Sequence, residues 1–165
     1  MWCEQESLLL ASFFFSRSDP SRDNIRQFVP TLAYSIIQFI PESQRLVGQA
    51  VDSDPLIFSR SLDAQISRLI LSPLSTIARN ASNPTIPHVL VVDALDECQD
   101  ETAQKAIVRL FSSILSSSNL RWKVLITSRR SSERRSTMDP CNHSLLVSHS
   151  VKGPEISRHF NTEIM

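Results

Sequence analysis

Apolar and polar residues alternate along this chain in two distinct rhythms. Ile25, Phe28, Val29, Leu32, Ala33, Ile36, Ile37 and Ile40 recur at i, i+3, i+4, i+7, which predicts an amphipathic helix. Pro30 lies inside it, and an interior proline costs ~3 kcal/mol. The helix is therefore either kinked there or starts afresh near Pro30, where a first turn tolerates it. Ile40-Pro41 stops it, and a shorter helix is expected over residues 42–51, with a turn at Asp52 to Pro55. Leu62, Ile66, Leu69, Ile70, Leu74 and Ile77 mark a further helix with a kink at Pro73. A fourth spans Asp100 to about Ser116, carried by Ala103, Ala106, Ile107, Leu110, Phe111, Ile114 and Leu115.

Short apolar runs separate these helices. Leu8 to Phe15 reads as a buried strand followed by turn chemistry at Asp19-Pro20-Ser21, or as a helix end (Glu4 to Leu9) running into a strand. Its three phenylalanines read as core. His88 to Val92 and Trp122 to Thr127 are β-branched runs of strand length, and Leu145 to Val151 alternates as a last strand would. Asn80 to Pro87 reads as a surface loop, Ser131 to Asn142 as a polar loop, and Glu155 to Phe160 as the opening of a final helix.

The strand at His88 ends in Asp93, and Asp96 and Glu97 follow within four residues. Carboxylates are costly to bury unless they are paired or hold a metal. In open α/β sheets, ligands bind outside the carboxyl ends of the strands. One reading is a Walker B element, with Asp93 on Mg²⁺ and a following acid orienting water. The other is a strand stopping at a polar turn, with Asp96 or Glu97 starting a helix. The next strand ends in Ser128, Arg129 and Arg130, one helix later. A strand–helix–strand unit of this length is a right-handed crossover between parallel strands. Acids and arginine then share one sheet edge, which favours a phosphate site.

DALDE after an apolar strand, then LITSRR one helix later, resembles the NACHT group of STAND P-loop NTPases, in the form abundant in fungi. In that group a small residue and further acids follow the Mg²⁺ aspartate, matched by Ala94, Asp96 and Glu97, and a sensor arginine ends the next strand, matched by Arg129. LLASFFFSR (Leu9 to Arg17) and the spaced residues Gln65, Leu69, Ile70, Pro73 and Leu74 are also similar, so the resemblance runs from about Cys3 to Phe160.

A Walker A loop departs from that pattern. It requires G-x-x-x-x-G-K-[ST], because its backbone N–H groups wrap the phosphates. The chain has two glycines, Gly48 and Gly153, and neither precedes Lys-Ser or Lys-Thr. In the family that loop comes just before the FFFSR strand. The expectation is a single domain over residues 1–165: a three-layer α/β P-loop NTPase-like core with a mostly parallel sheet, lacking its first strand, its P-loop and most of its first helix.

The resemblance implies an ATP- or GTP-driven signalling switch with Mg²⁺, in which Asp93 holds the metal, Asp96 and Glu97 position water, and Arg129 senses the γ-phosphate. For this chain alone no tightly bound cofactor and no hydrolysis are expected. A non-catalytic module that associates with itself or with intact NACHT proteins is the rival, and an incomplete gene model of a full NTPase is a third. Because the family's P-loop strand lies inside the sheet, its neighbours are expected to show unpaired edges.

Composition narrows the partners. Seventeen basic and seventeen acidic residues cancel, so no general attraction to nucleic acid or anionic membrane is implied. Arg129, Arg130, Arg134 and Arg135 form a basic cluster without interleaved aromatics, which reads as solvated loop charge. Cys3, Cys98 and Cys141 are too few for a disulfide framework and read as free thiols. Cys141, His143, His149 and His159 match no zinc spacing, and no G-x-S-x-G elbow is present. With no apolar run near the roughly 20 residues of a membrane helix and no signal-peptide pattern, a cytoplasmic protein is expected.

Overall fold

A computed structural model describes residues 9–80, 89–117, 123–129 and 143–149, the last as backbone alone. The expectations for Glu4 to Leu8, the loops at 81–88 and 131–142, Arg130, the thiols of Cys3 and Cys141, and the helix at 155–160 lie outside these residues.

Three strands, β1 (Leu9–Phe14), β2 (Val89–Asp93) and β3 (Lys123–Arg129), run parallel, and β4 (His143–His149) adds an antiparallel edge, in the order β1-β2-β3-β4. The mixed α/β class and the mostly parallel sheet are as expected. The observed last strand sits two residues earlier than the alternation at Leu145 to Val151 indicates.

Rows across the sheet explain its two faces. Phe13 pairs with Val92 and Val92 with Ile126, while Leu90 pairs with Val124. Those side chains point into one core together with Leu10, Ala11 and Phe15. The intervening positions Ser12, Phe14, Val91 and Leu125 point the other way, because strand side chains alternate. So the phenylalanine triplet is divided: Phe13 and Phe15 are buried, and Phe14 is 40% exposed.

The helices cover the first of these faces. Asn24 caps a short 3₁₀ turn, Ile25–Gln27, accepting from the Arg26 N–H at 2.9 Å. Helix α1 (Phe28–Phe39) then starts afresh, which places Pro30 in its first turn, where no N–H is needed. Helix α2 (Ser43–Ser53) follows and runs two residues past its expected end at Val51, into the expected turn. Ser61 caps the short helix α3 (Leu62–Ile66), a π-helical stretch covers Ser67–Leu71, and α4 (Ser72–Asn80) completes the segment. The kink expected at Pro73 is thus a π turn just ahead of it. Proline gives no N–H to Leu69 and its ring crowds that carbonyl, and a wider turn relieves both. Gln65 bonds the carbonyls of Phe58 (3.3 Å) and Arg60 (2.8 Å), so this family-like position is a loop fastener.

Asp100 caps α5 (Glu101–Ser117) through the Thr102 N–H at 2.8 Å, and Ala103, Ile107, Leu110, Phe111, Ile114 and Leu115 bury its apolar stripe. The strand order advances in one direction from β1 to β3. Two right-handed crossovers in a row then fall on the same side of the sheet, and α3 does touch α5. The described residues make two layers, a sheet and one helical layer.

The parallel arrangement expected of the Asp93 and Arg129 strands is observed. β2 is hydrogen-bonded to β1 on one side and directly to β3 on the other. Among the described residues, the outer edge of β1 lacks a strand partner.

Candidate functional site

Parallel strands bring their carboxyl ends together, and here those ends carry the chemistry. Asp93 closes β2, and its side chain lies on the face away from the helical core, as does Thr127 on β3. The Thr127 hydroxyl donates to Asp93 Oδ1 and accepts the Ala94 N–H at 2.9 Å. One hydroxyl therefore joins two strand ends. Ala94 has φ 52° and ψ 45°, and among the described residues it alone combines a side chain with positive φ. A left-handed residue costs roughly 1–2 kcal/mol when it carries a Cβ. That gives a physical reason for a small residue after the aspartate.

This reversal turns the chain into a 3₁₀ turn, Leu95–Glu97, which carries the other two acids. Neither starts a helix. Both are gripped by two arginines, one at the end of β3 and one in the loop after β1. The Arg129 backbone N–H donates to Asp96 Oδ1 at 2.8 Å, its Nε to Asp96 Oδ2 at 2.9 Å, and its Nη2 to Glu97 Oε1 at 3.2 Å. From the other side, the Arg17 N–H donates to Glu97 Oε2 at 3.0 Å and its Nη2 to the Asp96 carbonyl at 2.8 Å. Arg17 follows β1 in a loop closed by Ser16 N–H on the Arg22 carbonyl at 3.0 Å. That loop is joined to the turn again by Gln99, whose N–H and side-chain amide both reach Asp23.

The structure thus brings Asp96, Glu97 and Arg129 into contact, while Asp93 bonds separately to Thr127. Arg17 and Thr127 are site residues the sequence reading missed. The signal was available, since the argument that places Arg129 at the ligand edge applies to every polar residue at the end of a parallel strand.

Burial pushes the Asp96 carboxyl up, but the backbone N–H and guanidinium of Arg129 outweigh it and hold the acid below its ordinary value. A depressed value contributes stability above the unfolded value of 3.8 and loses it as pH falls through the folded one. The Glu97 and Cys98 amides, bonded to the Ala94 and Leu95 carbonyls, are therefore expected to lose hydrogen-exchange protection as pH falls below the unfolded value of 3.8. Protection should stay level at neutral pH, and Arg129→Gln should remove the acid step. An unchanged step in that variant would show that Asp96 does not govern the turn.

Mg²⁺ is commonly held by one or two carboxylates together with phosphates and water. Asp93 fits that donor set. Among the described residues no three His, Cys, Asp or Glu side chains gather to hold a metal, so the three acids do not form a cage. Nor is there a run of glycine amides beside Asp93 to cradle a phosphate. The fit is partial: a metal-side carboxylate and an arginine, with no cradle among the described residues.

Residues 2–129 match the family model described as nephrocystin 3, N-terminal. The chain belongs to that family. The nephrocystin 3 N-terminal match ends on Arg129, so it takes in Arg17, Asp93, Asp96, Glu97 and Thr127 and leaves β4 outside. No curated protein and no solved structure matches the chain. Among the described residues no helix is long and apolar enough to cross a membrane.

Proposed function

We propose that this member of the nephrocystin 3, N-terminal family is a partial NACHT-type nucleotide-binding domain of a STAND signalling NTPase, cytoplasmic, in which ATP or GTP state controls assembly. The observation that carries the reading is the meeting of Asp93, the Asp96–Glu97 turn and Arg129 at the carboxyl ends of two adjacent parallel strands. Mg²⁺, when bound there, neutralises phosphate charge. Asp93 holds the metal side, with Oδ1 fixed by Thr127 and Oδ2 without a hydrogen bond among the described residues. Arg129 meets the γ-phosphate, and Asp96 and Glu97 position a water once released from the arginines. The chain contains no G-x-x-x-x-G-K-[ST] segment, so alone it is not an active NTPase. Association with itself or with intact NACHT-type proteins is a second reading. It rests on the outer edge of β1, since unpaired strand edges invite pairing.

An amino-terminal fusion that supplies a strand, a phosphate-cradling loop and a helix tests the proposal. The fusion is expected to bind nucleotide in a Mg²⁺-dependent manner by calorimetry, and Asp93→Ala to remove most of that dependence. Arg129→Ala should weaken triphosphate roughly tenfold, the scale of one charged hydrogen bond, and diphosphate much less. The unfused chain should turn over nucleotide no faster than Mg²⁺ buffer. A folded fusion that binds nothing, or two variants that bind like the parent, would overturn the assignment.

A further inference from the structure

The acidic turn is held in a way that the proposed nucleotide chemistry does not require. β1 and β3 flank β2, and the loop after β1 and the end of β3 each send an arginine to the same two residues. Glu97 is divided between them, with Oε2 on the Arg17 N–H and Oε1 on the Arg129 guanidinium, so it bridges both neighbours across the end of β2. Within the turn, two 3₁₀-type bonds follow a left-handed alanine. Such a short, strained piece is held mainly by its outside contacts. Directly after it lies Cys98, 1% exposed, its thiol pushed up by burial.

The guanidinium donors among these contacts are the ones a phosphate would take. Arg129 commits Nε and Nη2 to two carboxylates. That edge of a guanidinium is a fork matched to phosphate oxygens as well as to carboxylates. Arg129 is 61% exposed on its side chain, so an anion in solution reaches it without rearrangement of the core.

We infer that Arg17 and Arg129 form a latch over the 94–98 turn, and that a polyphosphate opens it by taking the arginines from Asp96 and Glu97. Arg17 is a positioning residue in this device. Opening releases both acids and uncovers Cys98. The ligand half of this inference rests on the phosphate reading of Arg129, whereas the latch itself rests on the contacts alone.

Cys98 supplies the readout. Thiol labelling of the full chain, followed peptide by peptide in a mass spectrometer, separates it from Cys3 and Cys141. Arg17→Ala is expected to raise the Cys98 rate roughly fivefold or more, since it removes one charge-assisted bond. Arg17→Lys, which keeps the charge, should fall between. Urea unfolding of each variant separates a local effect from a global one, and Arg17→Gln replaces the alanine variant if that fails to fold. Inorganic tripolyphosphate should accelerate labelling of the wild type beyond NaCl at equal ionic strength, and do so less in Arg129→Ala. A Cys98 rate in a folded Arg17 variant equal to that of the parent would overturn the latch. Tripolyphosphate acting no more strongly than salt would overturn its release by phosphate. Neither result depends on whether the fusion binds nucleotide, so the two ideas fail separately.

Discussion

Phe28→Ala is expected to lower the free energy of unfolding by about 3–5 kcal/mol, the range for truncating a fully buried phenylalanine. Phe28 is 0% exposed at the start of α1, and its ring lies against three others. Phe13 on β1 meets it edge-on at 5.3 Å, Phe15 stacks at 5.9 Å, and Phe111 on α5 meets it edge-on at 6.3 Å. Such pairs add to area burial, so a cavity here forfeits several contacts at once. The residue also ties β1 to both crossover segments, and Arg17 lies two residues after Phe15. Against a typical total of roughly 5–15 kcal/mol, the loss would consume a large part of the stability. Phe14→Ala, on the open face and 40% exposed, is the control and should cost far less. Urea unfolding of both variants decides the matter. Equal losses would mean that the two sheet faces are buried alike, contrary to the layering described above.

That contrast within one triplet marks what the sequence makes legible. Periodicity identifies elements because a helix must bury every third or fourth residue and a strand every second. α5 and the strand ends at Asp93 and Arg129 follow that rule and sit where their patterns put them. Pro30 was legible as a choice of two outcomes, and packing of Phe28 and Val29 against β1 selects the fresh start. Pro73 was legible as a disturbance. That it is absorbed by a π turn depends on Leu69 and Ile70 both being buried, which no local pattern states.

Layer count and strand neighbours were less legible, because they depend on which strands are adjacent. A crossover pattern is the same whether the next strand is a direct neighbour or one place further along the sheet. The resemblance places the strands of Asp93 and Arg129 side by side, and β2 and β3 do pair directly. The site was half legible. Asp93, Asp96, Glu97 and Arg129 stand out because charges at the end of apolar runs need a reason. Arg17 and Thr127 do not stand out, since one reads as a solvated loop charge and the other as the last residue of a strand. Their parts follow only from parallel pairing, which brings three strand ends to one place.

Thr127 therefore supplies the sharpest test of how the site is built. Its hydroxyl both accepts from Ala94 and donates to Asp93, so Thr127→Val keeps the shape and removes two hydrogen bonds. The variant leaves a partly buried N–H without its acceptor, at the one described residue that already bears a left-handed cost. Leaving such a group unsatisfied costs about 1–3 kcal/mol, and Asp93 loses its donor in addition. Valine is β-branched like threonine, so strand propensity is no alternative cause. Thr127→Ser keeps the hydroxyl and should recover most of the loss. A cycle with Asp93→Ala separates the two bonds. If Thr127 acts through Asp93, the paired variants should depart from additivity by about 0.5–3 kcal/mol. The Ala94 amide should also exchange faster in Thr127→Val than in Thr127→Ser. Additive losses together with an unchanged Ala94 amide would show that β2 and β3 are held by backbone pairing alone, and that the hydroxyl does not orient the aspartate.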